Sequence, residues 1–163
     1  MTITKEKCGG APVGFLAELD GIRVTSVIYL RMWHNGPDSQ ADVWTDVSSS
    51  LGADHGRKAL KAFEKLCSLC SQHRRRPLML HATNCKCIGS DESCFANFIA
   101  TAATGEHEDA MLIATLLVRA DFAPIITSLA SDFGLALMLM NLRVPKDLDD
   151  DKNHRQSHFT TLH

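Results

Sequence analysis

The stretch from Ala53 to His73, which reads ADHGRKALKAFEKLCSLCSQH, gives the clearest indication of the fold class. Four of its apolar residues recur at the spacing of one helix face: Ala59, Phe63, Leu66 and Cys70. The lysines and Glu64 take the other side, so the pattern predicts an amphipathic helix packed against a core. Three arginines and then Pro77 follow His73. Cations suit the negative end of a helix dipole and proline stops a helix, so the helix is expected to end there.

Helical patterns continue on both sides of this stretch. They predict helices over residues 39–51, 92–103, 106–118 and 122–141, a short helix over 13–20, and a loop or short extended segment over 77–90. Residues 22–33 are ambiguous, because their apolar residues alternate as in a strand and also fit a helix. Their β-branched content favours a strand, but no partner strand is evident nearby, so we predict a helix.

These patterns together predict an all-α protein, an irregular bundle of six to seven helices with a cysteine-containing loop. Helix is expected to exceed about half of the residues, and no sheet of three or more strands is expected. The 163 residues correspond to one domain, which we place at 13–145. Residues 1–12 are expected to be a flexible N-terminal segment, and 146–163, which are mostly polar, a mobile tail.

Composition and charge exclude several function classes. The formal net charge of −2 is too close to zero for a general nucleic-acid or membrane-surface binder. The N-terminus has no apolar core of the kind that a secretory signal needs, and no apolar run approaches the length of a membrane span. We therefore expect a cytoplasmic protein without a membrane segment, for which nucleic acid is not the expected partner and a protein is the more natural one.

The cysteines carry the clearest chemical signal. Five of the six fall within 28 residues, in the pattern Cys67-x2-Cys70-x14-Cys85-x-Cys87-x6-Cys94, and His81 lies inside the same window. Thiols stay reduced in the cytosol, where clustered cysteines more often bind metal or act in catalysis than form disulfides. The sequence therefore predicts a metal site drawn from these six residues.

Zinc is the first choice of metal, because it takes four thiolate or imidazole ligands and tolerates varied spacing. Cys67 and Cys70 would project from one helix face. Cys85 lies in the following loop, and Cys94 lies at a helix start, where the dipole would favour the thiolate. We expect these four to be the ligands, with Cys87 or His81 as the alternatives. Such a site would tie the 53–73 helix to the 81–94 segment and fix a loop that a partner reads.

Three alternatives remain open at this stage. An iron–sulfur cluster also uses four thiolates, although the spacing does not match ferredoxin runs. Cys67 and Cys70 could instead be small core residues, since free cysteine is among the most buried residue types; the protein would then be a metal-free structural or interaction domain. The third alternative is a thiol-redox protein. Whether the chain is an enzyme, and of what kind, the sequence leaves open.

Overall fold

A computed structural model describes residues 10–143. The elements in chain order are β1 (Pro12–Phe15), a 3-10 turn (Leu16–Glu18), α1 (Gly21–His34), α2 (Pro37–Leu51), α3 (Ala53–Gln72), β2 (Cys87–Gly89), α4 (Ser90–Ala103), α5 (His107–Leu117), a second 3-10 turn (Ala120–Phe122) and α6 (Ala123–Arg143). Helices dominate the described residues, and the only sheet there has two strands. The predicted all-α bundle is therefore confirmed.

Two further expectations concern residues that the structure does not describe. The tail predicted at 146–163 lies entirely outside 10–143, and so does most of the flexible segment predicted at 1–12. Both stay predictions, as does the assignment of one domain to 13–145.

Helix α6 is the centre of the bundle. It packs mainly against α3 and α4, and it also contacts α5, α1 and α2. On the α3 side, the rings of Phe63 and Phe133 stack with their centroids 4.5 Å apart. On the α4 side, Gly134 allows close approach, because a Cβ atom there would lie 2.7 Å from the Cβ of Ala103 and 2.9 Å from the carbonyl oxygen of Ile99. The contact with α3 is thus made by stacked aromatic rings, and the contact with α4 by the close approach that Gly134 allows.

Residues 22–33 form most of α1, which settles the ambiguity in favour of a helix. The buried residues of α1 are Ser26, Val27, Tyr29, Leu30 and Arg31. Two of these five residues, Ser26 and Arg31, are polar. The apolar residues alone therefore do not identify the side of α1 that is buried. Ser26 is fully buried because its hydroxyl donates to the Ile22 carbonyl oxygen at 2.7 Å, which satisfies it inside the helix.

The short helix predicted over 13–20 is wrong. Residues Pro12–Phe15 form β1, which pairs antiparallel with β2, and only the single turn Leu16–Glu18 is helical. The backbone N–H of Leu16 also donates to the Lys86 carbonyl oxygen at 2.9 Å. Proline and glycine in this segment lower its helix propensity, but the partner strand comes from a loop about seventy residues away in the chain, which no local pattern reveals.

Among the described residues, one helix is long and apolar enough to cross a membrane by length and composition alone. This helix is Ala120–Leu142, and 39% of its most apolar stretch of 18 residues is buried inside the fold. Core helices of soluble proteins pass the same test, so the expectation that the chain has no membrane segment stays a prediction.

Candidate functional site

A buried ion pair lies beside the cysteine-containing loop. Arg31 on α1 is 2% exposed and Glu92 in the first turn of α4 is fully buried. The Arg31 Nε donates to Glu92 Oε1 at 2.7 Å, and Nη2 donates to Oε2 at 2.9 Å. Removing two charges from water costs several kcal/mol per ion unless further hydrogen bonds satisfy them. Those further bonds come from the loop.

Four backbone groups of the loop bind this pair. Arg31 donates from Nη1 to the Cys85 carbonyl oxygen at 2.7 Å and from Nη2 to the Cys87 carbonyl oxygen at 2.6 Å. Glu92 accepts from the N–H of His81 at 2.9 Å and of Gly89 at 3.0 Å. The two side chains thereby fix the path of the loop from residue 81 to residue 89, where it has only three residues of strand.

A second ion pair holds the beginning of the loop. Arg76 forms a bidentate pair with Asp91, which also accepts from the N–H of Met79 at 2.8 Å. Arg75, the preceding residue, donates to the Val118 carbonyl oxygen at 3.2 Å at the end of α5. Two of the three arginines at 74–76 thus bind groups of the protein itself.

The loop places an imidazole against a thiol. His81 is 3% exposed, and its Nδ1 lies 3.5 Å from the Sγ of Cys85, which is half-buried. The N–H of Cys85 donates to the Ala82 carbonyl oxygen at 3.0 Å, so a turn brings the two side chains together. The other ring nitrogen of His81, Nε2, is buried with no partner among the described residues. An imidazole held this close to a thiol can exchange a proton with it.

Cys87 is coupled to Cys85. Desolvation raises the pKa of the Cys87 thiol, and the charge of Cys85 and a hydrogen bond with it raise this pKa further, while Arg31 acts in the opposite direction. The loop consequently presents one thiol next to an imidazole and a second thiol, whose pKa is raised, next to the first.

Cys67 and Cys70 have a different environment. Both lie on the buried face of α3, within the core that includes Phe63 and Leu66. Burial raises the pKa of Cys70 to about 12 and raises that of Cys67 well above its ordinary value, with the neighbouring Cys70 contributing. Thiols in this environment stay protonated and pack as small apolar groups. These surroundings are the ones expected if Cys67 and Cys70 are small core residues, which was the metal-free alternative that the sequence left open.

Cys94 departs from its expected behaviour. It lies in the first turns of α4, where the helix dipole was expected to favour the thiolate. Its pKa is instead raised, first by desolvation and then by the negative charge of Asp91, while Arg76 acts in the opposite direction. Partial burial and a neighbouring carboxylate oppose the ionisation that the helix dipole favours at this position.

The six predicted ligands do not form one recognisable metal centre in the described part of the chain. Within residues 10–143, no three His, Cys, Asp or Glu side chains are grouped as a metal ion requires. Pairwise contacts join Cys85 to His81 and to Cys87, while Cys67 and Cys70 belong to α3 and Cys94 to α4. The five cysteines of this region are free thiols. The zinc assignment stays a prediction.

Sequence reasoning missed Arg31 and Glu92. Arg31 interrupts an otherwise apolar stretch, YLRMW at 29–33, and such a charge in a buried helix face indicates a buried partner. Glu92 stands three residues after Gly89, the spacing at which a helix N-terminal glutamate accepts from the N-cap backbone. Each of these two features can be recognised in the local sequence, but the pairing of Arg31 with Glu92 cannot.

Comparisons of the chain with protein-family models, with curated proteins and with solved structures found no match.

Replacing Arg31 with methionine should lower the free energy of unfolding by about 3–5 kcal/mol, because it leaves the Glu92 charge buried without its partner. Arg23→Met is the matched control, since Arg23 on the same helix pairs with Asp20 near the surface, where such a pair contributes about 1 kcal/mol or less. Denaturant unfolding measures both. Equal, small losses in the two variants would contradict a structural role for the buried pair.

The stability should also depend on pH through Glu92. Burial by itself would raise the pKa of this carboxyl, but hydrogen bonds from Arg31, Gly89 and His81 outweigh that effect and lower the pKa below its ordinary value. A lowered folded-state pKa stabilises the fold above the unfolded value of about 4.3, and this contribution is lost as the pH falls through the folded pKa. Glu92→Gln should therefore show a shallower acid loss of stability than the native chain; parallel curves would refute the assignment.

Alkylation should distinguish the two cysteine environments. Iodoacetamide applied to the native protein should modify Cys85 and Cys87, which are half-buried, and leave Cys67 and Cys70 unmodified until the chain unfolds, because the thiolate is the reacting form. Peptide mapping by mass spectrometry reads each site. Labelling of Cys67 or Cys70 at the rate of Cys85 in the native protein would show that the core thiols are accessible.

Proposed function

We propose that the protein is a small helical regulatory module whose functional group is the dithiol of Cys85 and Cys87, which cycles between two thiols and a disulfide. One observation carries this proposal: the buried Arg31–Glu92 pair binds the backbone of both cysteines, and Cys85 contacts the His81 imidazole. Functional side chains are most effective when a rigid second layer holds them. A protein partner recognises the change between the dithiol and the disulfide.

The spacing of the two cysteines suits a reversible bond. In extended chain, residues two apart have their side chains on the same side and their Cα atoms about 6.6 Å apart. Disulfides prefer a Cα separation of about 5.5–6 Å. A Cα separation of about 6.6 Å lies at the long end of the range of about 4.4–6.8 Å that disulfides span, so the proposed bond draws the two Cα atoms closer together. A disulfide in an exposed loop is more easily reduced than a buried one, which suits a reversible signal.

The oxidant in the proposal is a hydroperoxide. The Cys85 thiol gives its proton to His81, and the thiolate attacks the peroxide oxygen, so that the O–O bond breaks and an alcohol, or water from hydrogen peroxide, leaves with a proton. The resulting sulfenic acid on Cys85 is attacked by the sulfur of Cys87. The S–S bond forms, the S–O bond breaks, and water leaves with the Cys87 proton. Two thiols are oxidised and one hydroperoxide is reduced.

The structure of the loop supplies a means of transmission. Arg31 binds the carbonyl oxygens of both cysteines, and Lys86 between them accepts from Leu16 next to β1. Shortening the segment displaces these carbonyls, so oxidation weakens the bonds that hold the loop and β1. The partner recognises this change at the surface formed by the loop and β1.

Treating the reduced protein with hydrogen peroxide tests the proposal. The sixth cysteine, Cys8, is first replaced by serine so that it cannot form a disulfide with the others. Intact mass and peptide mapping should then show the loss of two hydrogen atoms at Cys85 and Cys87, and reductant should restore them. Cys87→Ser should stop at the sulfenic acid on Cys85, because no resolving thiol remains. Cys94→Ser is the matched control and should oxidise like the parent. A disulfide that persists in the Cys87→Ser variant, or that joins other cysteines, would refute the assignment.

The second candidate function is binding of a thiophilic metal ion, with zinc first. The 3.5 Å contact between the Cys85 sulfur and His81 Nδ1 favours it, because thiolate and imidazole are zinc donors. Cys87 is the nearest further thiol, but residues 10–143 do not group three donors around one point, so the loop would have to rearrange, with water or a partner completing the site.

Elemental analysis of the reduced protein separates the two candidates. Stoichiometric zinc that is lost in Cys85→Ser and kept in Cys94→Ser would support the metal site. Iron with acid-labile sulfide would indicate the iron–sulfur alternative instead. Protein that neither contains nor binds zinc would remove the metal candidate and leave the dithiol proposal standing on its oxidation test.

A further inference from the structure

Helix α6 carries a second apolar stripe that faces outward. The outward positions follow a spacing of three and four residues: Ile125, Ser128, Asp132, Leu135, Leu139 and Leu142. Leu135 and Leu139 are 48% and 46% exposed, and Leu142 is 81% exposed. Alternating steps of three and four are the spacing at which one helix packs along another. The stripe is leucine throughout the C-terminal half of the helix.

The other sides of α6 are already occupied. Ile126, Ala130, Phe133 and Leu137 lie in the core, so the C-terminal half of α6, from Phe133 to Met140, is apolar on nearly its whole circumference. A helix of this kind is normally covered on every side. The leucine stripe is the side that no element of residues 10–143 covers.

One cation and one anion line the groove beside the stripe, and the anion, Asp132, belongs to the stripe itself. A groove of about 450 Å³ runs between α3 and α6, with Lys58 on the α3 wall and Asp132 on the α6 wall, and Leu135 and Leu139 lie along it. Both charged side chains are exposed, and within residues 10–143 neither forms an ion pair. In a two-fold symmetric interface, residue i of one copy contacts residue j of the other and the reverse. A surface with one cation and one anion can therefore neutralise both charges against a second copy of itself.

We propose that a second copy of this chain covers the stripe, forming a two-fold symmetric dimer. The leucines of the two α6 helices pack together, and Lys58 of each copy lies against Asp132 of the other. A lipid bilayer is a poor occupant, because Asp132 and Ser128 lie in the same stripe and a charge in hydrocarbon costs several kcal/mol. This inference is independent of the dithiol, and its test is made in reductant.

Sedimentation equilibrium of the full chain, over a roughly hundredfold range of concentration, measures the dimer. Leu139→Glu should raise the Kd at least about tenfold, because it places a charge among the packed leucines. Leu112→Glu is the matched control, since Leu112 on α5 is 67% exposed and does not line the groove. It should dimerise like the native chain.

Charge reversal tests the arrangement more sharply. Lys58→Asp and Asp132→Lys should each weaken the dimer, because each brings like charges together across the two-fold axis. The double variant restores both pairs and should recover most of the affinity. Both substitutions are at exposed positions, so the test stands even if Leu139→Glu impairs folding.

Three results would overturn the proposal. A chain that stays monomeric over the whole concentration range has no such interface. Equal dimerisation of the native chain and Leu139→Glu would place the interface elsewhere. Binding of the monomer to phospholipid vesicles, lost in Leu139→Glu, would assign the stripe to a membrane surface instead.

Discussion

The buried pair of Arg31 and Glu92 is the interaction on which the cysteine loop depends. Each side chain bonds the other and two backbone groups of the loop, so both charges are satisfied although neither reaches water. Replacing such a pair with apolar residues is often neutral for stability, so its value lies in specifying one arrangement. Here the arrangement is the path of residues 81–89, which have little secondary structure of their own. The same pair joins α1 to α4, so the geometry of the loop follows the packing of the bundle.

The environment then divides the cysteines by chemistry. Cys67 and Cys70 are held in the apolar core of α3, where desolvation keeps the thiols protonated. Cys94 is partly buried beside a carboxylate, which also opposes ionisation. Among the five cysteines that the structure describes, Cys85 is the one placed against an imidazole, with Cys87 as its neighbour. Five identical side chains within 28 residues therefore offer different reactivity, because the bundle buries some and the loop presents others.

Helix α6 shows how one element serves both core and surface. Its inner residues pack against α3 and α4, the first through stacked rings and the second through the close approach at Gly134. Its outer stripe has the spacing of a helix contact and includes Asp132, which lines a groove together with Lys58 of α3. The loop and the stripe are built from different elements, so a dithiol signal and self-association need not compete for the same residues.

The sequence by itself determined most of the helices, because an amphipathic helix repeats its buried face every three to four residues and that repeat is local. The exceptions are 13–20, where the predicted helix is wrong, and 22–33, where the pattern was ambiguous. Ala53–Gln72 and the later helices follow their predicted bounds to within about three residues. The clustering of five cysteines within 28 residues was equally visible, and so was the presence of His81 among them. Only the tertiary structure decided which of these residues meet. Arg31 and Glu92 are 61 residues apart in the chain, and β1 pairs with a strand farther away still. Such contacts depend on how whole helices pack, and a sequence window that detects a helix contains no information about the partner across the fold.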